Sequence, residues 1–200
     1  MKAEIIDLTK KLDESLYIYS DGTYSDPPLM IEDWCSVQSQ GYKVSRISIG
    51  TQCGTHIDAP SHFMEGGAEL GALPLEALIG KYFLLDLDEI VRSGELKFDY
   101  RGELILFLKS STGIEISEEV FNSLLSFPCR VWVIIHDIGI SGRDVFHFNH
   151  ALAEADKYLV ENVDESAAMR VKSGGEIFAL PLRLVSTSGA PCRVIVRQAG

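Results

Sequence analysis

The stretch Thr51-Gln52-Cys53-Gly54-Thr55-His56-Ile57-Asp58-Ala59-Pro60-Ser61-His62-Phe63 holds two of the chain's five histidines. In extended backbone, successive side chains alternate between faces. Gln52, Gly54, His56, Asp58, Pro60 and His62 then share one face, each a potential ligand or a small or rigid spacer. Thr51, Cys53, Thr55, Ile57 and Ala59 take the other, more apolar face. Ordinary core packing does not explain that partition. At about 3.3 Å per residue, His56 and Asp58 lie roughly 6.6 Å apart at Cα, so both can reach one ion. Fully extended chain puts His62 roughly 20 Å from His56, too far for a shared ion held at about 2 Å per ligand. Pro60 allows a bend between them, because it fixes its own φ and cannot donate to a sheet ladder. Imidazole with carboxylate suits zinc or a similar divalent ion that keeps a position open for water. A hydrogen-bonded His56–Asp58 pair in a turn is the competing reading of the same spacing.

Outward from this stretch, short segments rich in β-branched and aromatic residues read as strands at 5–8, 42–49, 82–86, 103–108, 130–135 and 193–197. Gly, Pro, Asp or Ser bounds each of them. A strand-like run also covers 158–162. Helices are fewer. One is expected over 73–79, closed by Gly80 as C-cap. A second starts after Ser117, with Glu118 and Glu119 in its first turn and Pro128 beyond its end. A third covers 148 to about 157. Strands outnumber helices without the regular βα rhythm of a doubly wound sheet, which defines a mixed α/β domain and leaves its topology open.

At 200 residues and 22.1 kDa the chain suits one domain, residues 1–200, with a sizeable core. Its formal charge of −11 would repel phosphate backbones and anionic lipid heads, so neither nucleic acid nor a membrane surface is an expected partner. The longest apolar runs, such as 131–135, are strand-length and far short of the roughly 18 residues of a membrane span. The N-terminus lacks the apolar stretch of a signal peptide. Cys35, Cys53, Cys129 and Cys192 are scattered and read as free thiols of a cytoplasmic protein.

The motif Gly54-Thr55-His56-x-Asp58-x-Pro60-x-His62 resembles the His-x-Gly-Thr-His-x-Asp-x-Pro-x-His signature of the cyclase family, which includes bacterial kynurenine formamidase and isatin hydrolase. The similarity runs along almost the whole chain. Ile5-Ile6-Asp7-Leu8 resembles the family's opening strand, and Leu73-Pro74-Leu75-Glu76-x-Leu78-Ile79-Gly80 its central segment. Leu180-Pro181-Leu182 with Gly189-x-Pro191-x-Arg193 resembles its ending. The resemblance implies a swivelling β/β/α fold, assembly as a homodimer or larger homo-oligomer, and a divalent metal centre. That ion would be Zn2+, with Mn2+ as the alternative. The implied reaction is hydrolysis of a small-molecule amide: an aryl formamide such as N-formylkynurenine, or a small cyclic amide or lactone.

Carried over residue by residue, the resemblance names Gln52, His56, Asp58, His62, His150 and Glu161 as metal-site residues. His62, His150 and Glu161 are also its candidates for proton transfer. Two positions depart from the pattern. Gln52 stands where the signature has its first histidine, and a neutral amide carbonyl is a harder, weaker donor than imidazole. Asn149 precedes His150 where a histidine pair is usual, which leaves a second metal position incomplete. These departures motivate an alternative, a family member that has lost catalysis and acts as a small-molecule binding or interaction protein. Cys53 alternates away from the ligand face and reads as packing. His136-Asp137 reads as a hydrogen-bonded pair. Trp34, Tyr17, Tyr19 and Tyr24 crowd a stretch that reads as a loop, either shaping a pocket or tacked down by its aromatics.

Overall fold

The computed structural model describes residues 2–96 and 98–200. In chain order the strands are β1 (Ala3–Asp7), β2 (Met30–Cys35), β3 (Val44–Ser48), β4 (His56–Asp58), β5 (Ile79–Asp86), β6 (Ile105–Lys109), β7 (Ile114–Ile116), β8 (Val131–Ile134), β9 (Ile138–Ile140), β10 (Tyr158–Glu161), β11 (Glu176–Pro181) and β12 (Gly189–Ala199). The helices are α1 (Val37–Gln40), α2 (Leu87–Ser93), α3 (Glu118–Leu125), α4 (His147–Glu154) and α5 (Glu165–Ala168).

The main sheet runs β1-β12-β11-β5-β6-β8-β10-β4, and β4 also pairs with β12. That second pairing closes seven strands into a barrel, with β1 added outside the ring along β12. β5, β6, β8 and β10 are mutually parallel, whereas β4, β11 and β12 join antiparallel. Strands buried on both faces read as unbroken apolar runs, and β8 (Val-Trp-Val-Ile) and β6 (Ile-Leu-Phe-Leu-Lys) are of that kind. Alternation sorts their side chains into two cores. Ile105, Phe107, Val131 and Val133 join Tyr158, Val160, Ile177 and Val194 in one. Leu106, Leu108, Trp132 and Ile134 pack in the other against Ile90, Phe121, Leu124, Phe148 and Leu152 of helices α2, α3 and α4. The result is the mixed α/β architecture that the sequence implied.

Local chemistry sets the helix ends. Ser117 Oγ accepts the Val120 N–H at 3.2 Å, with Glu118 and Glu119 in the first turn of α3. Asp86 caps α2 through the Glu89 N–H at 3.1 Å, and Gly94 ends it at φ 67°. The helix expected over 73–79 does not form. Two single 3-10 turns occupy Leu70–Ala72 and Leu75–Ala77, and Gly80 is the second residue of β5 rather than a cap. Close packing explains that glycine, since a Cβ there would stand 2.8 Å from Leu104 Cδ1.

β2 and β3 form a separate two-stranded sheet joined through the one-turn α1. Every residue of the two strands is exposed except the half-buried Cys35. Trp34 therefore lies on a strand rather than in a loop, and it is 70% exposed rather than tacked down.

Candidate metal centre

The extended reading of 51–63 holds only in its middle. β4 spans His56–Asp58, Gln52 lies in the turn before it, and Pro60–His62 is a 3-10 turn. Within β4 alternation does the expected work: His56 and Asp58 share a face, and both are buried, at 2% and 5% exposure. The third member comes from across the sheet. In the antiparallel pairing with β10, Glu161 lies directly opposite His56, so their side chains project from the same face. His56 Nε2 stands 3.5 Å from Asp58 Oδ1 and 3.3 Å from Glu161 Oε1. One donor atom from each of the three residues falls within 4.8 Å of the others, the spacing of donors around one ion.

The hydrogen bonds orient this cluster. His56 Nδ1 lies 2.8 Å from the Gly54 carbonyl. A carbonyl can only accept, so Nδ1 carries a proton and Nε2 is the nitrogen turned to the carboxylates, where a cation can replace its proton. Gly54 delivers that carbonyl from φ +66°, backbone that favours glycine. Thr55, on the opposite face, donates from Oγ1 to the Asn162 carbonyl at 2.7 Å and accepts the Lys10 N–H at 2.9 Å. It thereby ties β4 to the residue that follows Glu161. Thr55 belongs to the signature, but its positioning role shows only in the cross-strand register.

Electrostatics follow from the crowding. Burial alone would depress His56, but contact with Glu161 and the charge of Asp58 outweigh it and push the imidazole up to about 9. Burial, then the nearby Glu161 carboxylate, pushes Asp58 well above the usual carboxylate range. A divalent cation is the group that satisfies two carboxylates and an imidazole lone pair at once. The polar inventory fits such an ion: Asp58 Oδ1 is buried with no hydrogen-bond partner among the described residues.

Gln52 lies beside the cluster. Both its amide atoms are buried and lack a hydrogen-bonded partner among the described residues. They are seated over Gly189, where a Cβ would stand 2.6 Å from Gln52 Oε1. Gly189 is opposite Asp58 in the β4–β12 pairing, and Pro191 is opposite His56.

His62 and His150 stand outside the three-residue cluster, and each packs against Phe63. The His62 ring meets Phe63 edge-on at 4.6 Å, and His150 does so at 5.4 Å. Although its edge is open to solvent, enclosure of the His62 ring and then the nearby His56 lower its pKa. His150 donates Nδ1–H to the Phe63 carbonyl at 3.0 Å, which leaves its Nε2 free. Asn149 lines a cavity of about 10 Å3 with Asp58, Ala59, Pro60 and Phe63, about the room one water needs. Cys53 is 3% exposed and is not one of the clustered donors. His136 and Asp137 do not pair with each other.

A closed mixed-sheet barrel with a buried His–Asp–Glu cluster at its seam has the plan of a metal-dependent hydrolase. The chain belongs to the family described as "Putative cyclase", whose pattern matches residues 6–108. The kynurenine formamidase of Bacillus cytotoxicus is 27% identical over 217 residues, covering 98% of this chain and 99% of that one. Isatin hydrolase A from Ralstonia solanacearum shares the fold, with a TM-score of 0.76 at 16% identity over 98% of this chain and 92% of that one. A structure described as a potential metal-dependent hydrolase with cyclase activity superposes with a TM-score of 0.72 at 25% identity, covering 100% of both chains.

Proposed function

We propose that this protein is a metal-dependent amidohydrolase. It cleaves the C–N bond of an aryl formamide such as N-formylkynurenine, or opens a small cyclic amide or lactone. One observation carries the reading: His56, Asp58 and Glu161 converge within 4.8 Å, and Asp58 Oδ1 is buried with no hydrogen-bonded partner among the described residues. Kynurenine formamidases among the relatives support the substrate class.

His56 Nε2, Asp58 and Glu161 would hold the ion, with Gln52 Oε1 as a neutral further donor; zinc is the expected metal and manganese the alternative. When bound, a divalent ion supplies Lewis-acid polarisation of the scissile carbonyl and a more acidic water. The Gly54 carbonyl keeps the His56 ring turned so that Nε2 faces the carboxylates. His62, kept neutral near pH 7 by its lowered pKa, takes a proton from the attacking water. As the C–N bond breaks, it returns that proton to the leaving nitrogen. His150, which also packs on Phe63, presents its free Nε2 as a second proton carrier. The four free thiols support a reducing, cytoplasmic setting, and a homodimer or larger homo-oligomer is the expected assembly.

Two measurements test this reading. Protein purified without chelator should contain near-stoichiometric zinc or manganese, and should hydrolyse members of an aryl formamide and lactone panel. Protein that binds neither ion after dialysis against both is not this enzyme. The unpartnered Gln52 amide favours a second reading, a small-molecule binder without turnover. Tight binding of a panel member with no hydrolysis by the metal-loaded protein would select it.

A further inference from the structure

We propose that Asn162 is a positioning residue for Glu161, acting through its left-handed backbone and not through its amide side chain. The role rests on the metal centre proposed above, where Glu161 is the donor that comes from a second strand.

Glu161 ends β10, and Asn162 follows it at φ 55°. Among the described residues, only Asp156 and Asn162 hold a positive φ without being glycine. Asparagine tolerates that conformation better than most side chains. The Asn162 side chain is exposed, so core packing does not account for the residue type. The turn does two things. The first concerns alternation. In unbroken strand, residues three apart point to opposite faces. Val160 and Val163 nevertheless enter the same core, each at 0% exposure. The left-handed residue between them resets the alternation, so that Glu161 keeps the ligand face and Val163 returns to the interior.

The turn also aims a carbonyl. Thr55 Oγ1 donates to the Asn162 carbonyl at 2.7 Å. Thr55 precedes His56 and Asn162 follows Glu161, so this bond crosses between β4 and β10 right beside the two residues that stand opposite each other. The chain beyond the turn is anchored as well. The Asp164 N–H donates to the Leu8 carbonyl at 2.7 Å, and Asp164 caps α5 through the Ala167 N–H at 2.9 Å. A β-branched side chain at residue 162 is a steric outlier in left-handed backbone. Relaxation to negative φ would release the Thr55 bond or the buried Val163, and with either of them the register that sets Glu161 opposite His56. Glycine holds the same conformation without a steric penalty.

The test compares Asn162→Val with Asn162→Gly in the full chain, with zinc and manganese affinity read by competition against a chromophoric chelator. Valine should weaken the ion by about 10–100-fold, the loss usual when an outer-shell partner of a ligand is removed. Glycine, which lacks the amide just as valine does, should stay within about threefold of wild type. Thr55→Val should weaken the ion by a similar factor, and adding it to Asn162→Val should cost little more, because both break one link. Near-ultraviolet circular dichroism confirms that each variant is folded. Should valine prevent folding, Asn162→Ala takes its place, with a smaller loss in the same direction. A second readout needs no ion. In metal-free protein, the backbone amides of His56–Asp58 and Tyr158–Glu161 should exchange several-fold faster in Asn162→Val than in wild type or Asn162→Gly, while those of β11 stay unchanged. A glycine variant as impaired as valine would give the role to the side chain and overturn the proposal. So would a valine variant with wild-type affinity and exchange, or full additivity with Thr55→Val. If wild type itself binds neither ion, the metal centre is refuted, and amide exchange along β4 and β10 alone decides the role of Asn162.

Discussion

Replacing Gly189 by alanine tests whether the barrel seam is as tight as the structure describes. The new Cβ would stand 2.6 Å from the Ile57 carbonyl oxygen and 2.6 Å from Gln52 Oε1. Both are well inside the roughly 3.5 Å at which non-bonded atoms sit comfortably. The Gln52 amide, the end of a flexible side chain, can swing away. The Ile57 oxygen belongs to β4, and its retreat strains the ladder on which Asp58 faces Gly189. Overpacking usually costs about 1–3 kcal/mol, and a backbone neighbour puts this site near the top, at about 3 kcal/mol. That is about 150-fold in the folding equilibrium. With a urea slope of about 2 kcal/mol/M, the midpoint should fall by about 1.5 M. Gly113→Ala is the control, since its Cβ would meet only the Asp137 oxygen at 3.7 Å and should stay within about 0.5 kcal/mol of wild type. Urea unfolding of both variants decides it. A Gly189→Ala midpoint within error of wild type would refute the closed seam.

His56→Ala and Asp58→Ala should each lose bound metal by elemental analysis, whereas Cys53→Ala should keep it and lose about 1–2 kcal/mol of stability; retention of full metal by either ligand variant would show that the cluster is not the centre. Gln52→His should tighten zinc relative to manganese in a competition titration, and an unchanged ratio would mean that Gln52 does not touch the ion. His62→Gln should lower kcat by about 10²–10⁴-fold with metal content intact, and normal turnover would remove His62 from proton transfer. Burial pushes the thiols of Cys53, Cys129 and Cys192 upward, Cys192 to about 12. At pH 8 they should therefore stay protonated and silent to a disulfide reagent until the protein unfolds, and more than one fast-reacting thiol in native protein would contradict this.

The central parallel strands were legible because both their faces are buried, so β6 and β8 are apolar without interruption. His56 and Asp58 were legible for a different reason, since period-2 spacing places them together whatever follows. Glu161 has no such local signature. Its approach depends on register between β4 and β10, a pairing of residues about a hundred positions apart that no spacing rule reports. The helix expected at 73–79 failed where tertiary packing overrode local pattern, with Leu104 crowding Gly80 and β5 pairing through it. The hairpin was half seen. Residues 42–49 carried strand character, but 30–35, exposed on both faces, show no alternation between a core side and a water side.

β4 is three residues long, yet it holds β10 along one edge and β12 along the other. The same three residues supply two of the candidate ligands, so an ion bound there would clasp the ring as well as serve chemistry. At a thousandfold excess over its dissociation constant, a ligand bound only by the folded state adds about 4 kcal/mol. That gain would be concentrated at the seam. Losing β4 from the ring would turn the barrel into an open sheet with bare edges at β10 and at the 189–191 end of β12. Unpaired edges template pairing between chains. Starvation for the ion would therefore cost the cell soluble protein as well as catalytic turnover.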